Sequence, residues 1–135
     1  MNIDFSFIII DDSELDRFVT QKFLELSTKY TAIKAFENAE HALETIRENA
    51  DGNSPVPTII LLDLQMPFMN GFDFVEQFEK FPNEVKNNYR IVILTILTSA
   101  SNPADIYKVL TYPTVSRIIE KPLTKEKLQS LLIQV

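Results

Sequence analysis

Three kinds of side chain in this sequence could act together on one reacting group: the carboxylates of Asp11, Asp12 and Asp63, the ammonium of Lys121 and the hydroxyl of Thr98. Carboxylates gathered in one pocket repel, and raise each other's pKa unless a cation compensates. An all-oxygen set without His or Cys suits a hard cation, Mg²⁺ most naturally. A lysine reaching into such a pocket would hold an anion, and a hydroxyl could donate to it. The set fits transfer of a phosphoryl group to a carboxylate oxygen. Asp63 would be the nucleophile, and the cation and Lys121 would neutralise charge as it develops.

Taken singly, each residue has a plainer role. An Asp after a strand serves turns, acids before a helix favour its start, and Lys-Pro is a common element boundary. Their joint placement is what carries the argument, and it depends on the elements that hold them.

Asp63 ends the stretch Thr58 to Asp63, whose core Ile59 to Leu62 is unbroken apolar sequence; Pro67 and the turn pair Asn70-Gly71 follow. A short apolar run bounded by turn signals reads as a strand buried on both faces. Phe5 to Ile10 is a similar run that stops at Asp11-Asp12. Two further strands are expected over Arg90 to Leu97 and Thr114 to Ile119, and a weaker one over Tyr30 to Phe36. Helical patterns lie between them. Ser13 can cap a helix from Glu14 to Leu26, with Leu15, Phe18, Val19, Phe23 and Leu26 at helical spacing. Asn38 can cap one with Ala39, Ala42, Leu43 and Ile46 on one face. Phe72, Phe74, Val75 and Phe78 suggest a third, which Pro82 ends. Pro103 suits the first turn of a fourth, with Ile106, Val109 and Leu110 inward. Thr124 caps a fifth, with Leu128, Leu131, Leu132 and Val135 on its face. The polar segment Asn83 to Tyr89 has no assigned role.

Strands alternate with helices five times, and most strands are apolar throughout, which calls for a parallel sheet covered on both faces. Ligands bind such sheets at the C-terminal ends of the strands. Asp11-Asp12, Asp63, Thr98 and Lys121 all fall there.

On the pieces FIIIDDSELDR, LLDLQMPFMNGFDF, ILTSA and IIEKPL, taken in that order, the chain resembles the receiver domain of two-component response regulators, of the single-domain CheY-like type. The D-x-x-M-P-x-x-x-G stretch, with an acidic pair upstream and Lys-Pro downstream, is highly specific. The resemblance covers essentially the whole chain. It implies a flavodoxin-like, doubly wound α/β fold: a five-stranded parallel sheet in the order 2-1-3-4-5 with five flanking helices. It implies that Asp63 is the phosphoacceptor and that Asp12 is a direct Mg²⁺ ligand. Asp11 would act directly or through water, and the backbone carbonyl of Gln65 would complete the metal contacts. Thr98 would be the switch hydroxyl, Lys121 the phosphate-contacting lysine, and the Lys121–Pro122 bond cis.

Two features depart from the family's common pattern. Thr95 also lies near the fourth strand's end; Thr98 is preferred because small residues follow it and it stands 23 positions before Lys121 (121 − 98). Where an aromatic reporter of switching usually stands, three before the lysine, this chain has Ile118, and Tyr107 or Tyr112 are candidate substitutes.

The implied function is a phosphorylation-controlled switch in a two-component system or phosphorelay. Its partners would be a sensor histidine kinase or histidine phosphotransfer protein and an unidentified downstream protein, which meets the face of the fourth helix, fifth strand and fifth helix. A monomer or a weak phosphorylation-dependent dimer is expected. A non-phosphorylated receiver-like binding module is a rival reading that the intact acidic pair, Asp63 and Lys121 oppose. A haloacid-dehalogenase-type phosphohydrolase is another, but such enzymes place a second Asp where this chain has Gln65.

Composition sets outer bounds. The 135 residues fit one domain, 1–135, expected to carry no output domain. A net charge of −6 argues against nucleic-acid binding through a broad basic surface. With no cysteine, disulfides and thiolate metal sites are absent. No apolar run approaches membrane-span length, and the N-terminal stretch lacks a basic leader, so a cytoplasmic protein without membrane association is expected.

Overall fold

In the computed structural model, residues 5–48, 57–64, 70–95 and 103–134 are described. The elements are β1 (Phe5–Ile10), α1 (Glu14–Ser27), β2 (Tyr30–Phe36), α2 (Ala39–Glu48), β3 (Thr58–Asp63), α3 (Gly71–Glu79), α4 (Asn83–Lys86), β4 (Tyr89–Thr95), α5 (Pro103–Leu110), β5 (Val115–Glu120) and α6 (Lys125–Gln134). All strand pairs are parallel, in the order β2-β1-β3-β4-β5. This is the expected sheet, with β3 at its centre between β1 and β4.

The period-two alternation of the strands builds two apolar layers. Ile8, Ile10, Ile60, Leu62, Ile91 and Ile93 share one layer with α2, α3 and α5 residues such as Leu43, Phe78 and Val109. Phe7, Ile9, Ile59, Leu61, Val92 and Leu94 share the other with Leu24 of α1 and Leu128 and Leu131 of α6. Every β3 residue is buried, which explains a run without polar alternation.

The caps formed as their residue types suggest. Ser13 Oγ accepts from Asp16 N at 3.2 Å, Asn38 Oδ1 from His41 N at 2.8 Å, and Thr124 Oγ1 from Lys127 N at 3.2 Å. Asn70 and Asp73 form a reciprocal capping box at the start of α3.

The structure differs from the sequence expectations in several places. There are six helices among the described residues, because Asn83 to Lys86 forms α4. Four residues give no apolar period to read. The helix is held instead by tertiary contacts: Val85 is buried, and Lys86 Nζ donates to Glu79 O at 3.0 Å and pairs with Glu79 Oε2 at 3.4 Å. The fifth strand runs one residue later than expected, Val115–Glu120, because Thr114 turns its hydroxyl and backbone N–H to the Glu79 carboxylate. Leu110 is exposed rather than inward. Of the α1 residues at helical spacing, Leu15, Phe18, Val19 and Leu26 are 69, 59, 52 and 87% exposed, whereas Phe23 packs against the layer that Leu24 fills. Leu97 and Val135 lie outside the described residues.

Candidate functional site

Strand register brings the acids together. Ile10 pairs with Leu62, so Asp11 and Asp63 each stand one step beyond adjacent partners. Asp63 pairs with Leu94, and Thr95 with Glu120, which sets Lys121 one step past the rim of β5. Asp11 and Asp63 are buried, and Asp12 is exposed.

Local bonds fix each group. The Asp11 backbone N–H donates to Phe36 O at 3.1 Å, and its Oδ1 accepts from Ser13 N at 3.0 Å. Arg17 Nη1 donates to the Asp11 carbonyl at 2.8 Å, tying α1 to the turn. Lys121 N donates to Thr95 O at 2.8 Å, which joins the end of β4 to the lysine. The Lys121–Pro122 bond is cis, as expected. Lys127 Nζ, from α6, donates to the carbonyls of Glu120 at 2.7 Å and Pro122 at 3.2 Å, on either side of Lys121.

Gly71 closes the wall behind Asp63. A Cβ there would lie 2.8 Å from Leu64 Cα and 2.9 Å from Asp63 O, and Gly71 N donates to Leu64 O at 3.0 Å. Close backbone approach is what requires glycine in the Asn70-Gly71 pair.

Lys121 Nζ lies 3.3 Å from Asp11 Oδ2, 3.6 Å from Asp63 Oδ1 and 3.6 Å from Asp16 Oδ2. Burial works to lower the lysine's pKa, but the charges of Asp63, Asp11 and Asp16 together outweigh it and hold the pKa above the ordinary 10.5. The ammonium therefore remains charged across the neutral range.

Carboxylate oxygens of Asp11, Asp12 and Asp63 lie within 4.8 Å of one another. Three hard oxygen donors with no nitrogen or sulfur ligand among them fit Mg²⁺. The remaining site residues inferred from sequence, Gln65 and Thr98, lie outside the described residues. Thr95 is buried at the end of β4. At the position of the usual aromatic reporter, Ile118 is half-buried and packs on the α2–α3–α5 layer, as does Tyr112, whereas Tyr107 is exposed.

Asp16 was not singled out by sequence. An acid in the first turn of a helix reads as a dipole partner, and only the fold shows that it faces Lys121.

Beside the lysine opens a cleft of about 470 Å³ lined by Leu15, Asp16, Val19, Phe23, Leu94 and Lys121, among others. Two exposed apolar residues of α1, Leu15 and Val19, thus adjoin the acidic pocket.

A family model for the response regulator receiver domain matches residues 7–133. The chain is 26% identical over 127 residues to a probable C4-dicarboxylate response regulator of Halalkalibacterium halodurans, covering 94% of this chain and 49% of that protein. It is 29% identical over 129 residues to the sensor histidine kinase CheAY of Helicobacter pylori, covering 96% of this chain and 15% of that protein. The chain therefore spans half or less of these curated relatives. Among solved structures, a response regulator receiver protein from Dyadobacter fermentans superposes with a TM-score of 0.78 at 33% identity, covering 95% of this chain and 94% of that one.

Proposed function

The chain belongs to the response regulator receiver domain family, and from that premise we propose that Asp63 accepts a phosphoryl group from a phosphohistidine of a sensor histidine kinase or histidine phosphotransfer protein. The observation that carries this reading is the convergence of Asp11, Asp12, Asp63 and Lys121 at the C-terminal rim of the sheet.

An Asp63 carboxylate oxygen attacks phosphorus. The P–N bond to the donor imidazole breaks, and its electron pair leaves on the nitrogen, which takes up a proton. Asp11, Asp12, Asp63 and the Gln65 carbonyl would hold Mg²⁺, which when bound supplies positive charge against the crowded oxygens. Lys121 orients Asp63 before transfer and pairs with a phosphoryl oxygen afterwards. The buried, register-fixed position of Asp63 keeps its oxygen presented without reorganisation.

The new charge and acceptor oxygens then bias a two-state element. We assign the switch hydroxyl to Thr98. A second assignment, Thr95, is favoured by two observations: it follows directly on Leu94, the partner of Asp63, and its carbonyl accepts from Lys121 N. The α5–β5–α6 face is the proposed output surface, since β5 runs from that face to Lys121.

A receiver domain is a signalling domain. We read the region 1–135 as one such domain that assists its own phosphotransfer and dephosphorylation without turning over an external substrate. The exposed Leu15 and Val19, which line the cleft beside Lys121, support docking of the phosphodonor there. Among the described residues no helix is long and apolar enough to cross a membrane; we place the exchange in the cytoplasm, where ATP charges histidine kinases.

The test is Mg²⁺-dependent labelling by a phosphorylated histidine donor. Wild type is labelled and Asp63→Ala is not; equal labelling of the two would sink the assignment.

A further inference from the structure

Lys121 has three carboxylate neighbours, and they differ in kind. Asp11 and Asp63 belong to the oxygen cluster with Asp12 that suits a metal. Asp16 contacts the lysine from α1, at 3.6 Å, with its side chain 50% exposed against 6% for Asp11 and 11% for Asp63. Its backbone is fixed by the Ser13 cap on its own N–H, so the carboxylate is presented from a rigid first turn. An ammonium carries three N–H donors, enough for one to each acid.

The geometry points to Asp16 as a positioning residue that divides Lys121 between the buried pocket and its rim. This inference rests on the reading of Asp63 as phosphoacceptor. With Asp16 in place, part of the ammonium's attraction is drawn to the exposed side. That eases its competition with Mg²⁺ for Asp11 and Asp63. It also loosens its grip on an incoming phosphoryl oxygen, because the two anions compete for the same N–H donors.

Removing the charge as Asp16→Asn leaves Lys121 only the pocket. The ammonium then competes harder against Mg²⁺ and pairs more fully with a phosphoryl group, so the two affinities move in opposite directions. A loosened helix start would weaken both.

The experiment titrates Mg²⁺ alone, then beryllofluoride at saturating Mg²⁺, into wild type, Asp16→Asn and Asp16→Glu by calorimetry. Asp16→Asn should bind Mg²⁺ about two- to five-fold more weakly and beryllofluoride about two- to five-fold more tightly, the range of a partly exposed ion pair. Asp16→Glu, which keeps the charge, should return both toward wild type. Two unchanged affinities, two weakened affinities, or an Asp16→Glu variant no closer to wild type than Asp16→Asn would each overturn the inference. A wild-type protein that binds Mg²⁺ but no beryllofluoride would overturn the phosphoacceptor reading, and this inference with it.

Discussion

Lys121 Nζ stands 3.6 Å from Asp63 Oδ1, across two strand boundaries and a turn. The contact is made by residues far apart in sequence, and each is held independently. Asp63 is fixed by the β3–β4 register, and Lys121 by its N–H to Thr95 O and by Lys127 on the flanking carbonyls. A charge so placed is both a counter-ion for the Asp63 carboxylate and a ready partner for a phosphoryl oxygen.

Replacing that ammonium should separate its two roles. Lys121→Met removes a cation that competes for Asp11 and Asp63, so Mg²⁺ should bind more tightly. The same variant should bind beryllofluoride at least ten-fold more weakly, on the order of the 1.5–3 kcal/mol of a charge-assisted hydrogen bond. Calorimetric titration of each ligand checks both signs.

Alkaline stability should carry two components of the same sign. The Lys121 pKa is raised above 10.5, so its stabilising contribution is fully present below that value and is lost as pH rises through the folded-state pKa. Burial raises the Tyr89 phenol above 10.0, so the folded protein retains a proton that the unfolded chain has released, and stability again falls as pH climbs past 10.0. Tyr89 packs edge-on against Phe78 with ring centroids 5.6 Å apart. Tyr89→Phe keeps that packing and should flatten the Tyr89 part of the alkaline decline, measured by urea unfolding at stepped pH.

Gly71→Ala should destabilise the fold by about 1–3 kcal/mol, the usual cost of forcing atoms into a packed site. The added methyl would meet Leu64 Cα and the Asp63 carbonyl, neither of which is the free end of a flexible side chain. Because it presses on the backbone of Asp63, the variant should also weaken Mg²⁺ binding. Denaturant unfolding with and without Mg²⁺ checks the pair of effects; a substitution neutral in both would contradict the close approach.

The switch hydroxyl is decided by two single variants. If Thr98 donates to the phosphoryl group, Thr98→Ala should reduce the beryllofluoride-induced change in amide spectra of the α5–β5–α6 face, and Thr95→Ala should leave it. The reverse pattern assigns the role to Thr95. Heteronuclear NMR of both variants, with and without beryllofluoride, reads the difference.

Much of this architecture was legible because local and tertiary signals agreed. Ile59 to Leu62 are buried on both faces, and their unbroken apolar sequence said so. Ser13, Asn38 and Thr124 cap their helices as read, and Asn70, read only as a turn residue, also caps α3. The meeting of Asp11, Asp12 and Asp63 followed from one rule about parallel strand ends.

The misses arise where a residue's partner is distant in sequence. Asn83 to Lys86 is helical through Val85 burial and the Lys86–Glu79 contacts, none of which leaves a pattern in four residues. Asp16 looks like any first-turn acid until β5 delivers Lys121 beside it. Periodicity placed Leu15, Phe18 and Val19 on a helix but not the direction they face. All three are exposed, and Leu15 and Val19 line the cleft beside the site.

The central claim is that Asp63 carries the phosphoryl group, and trapping the acyl phosphate tests it most directly. The protein is phosphorylated by a histidine donor with Mg²⁺, reduced with borohydride, and mapped by peptide mass spectrometry. The account predicts homoserine at position 63 and unmodified Asp11, Asp12 and Asp16. Homoserine at another aspartate, with position 63 intact, would contradict it.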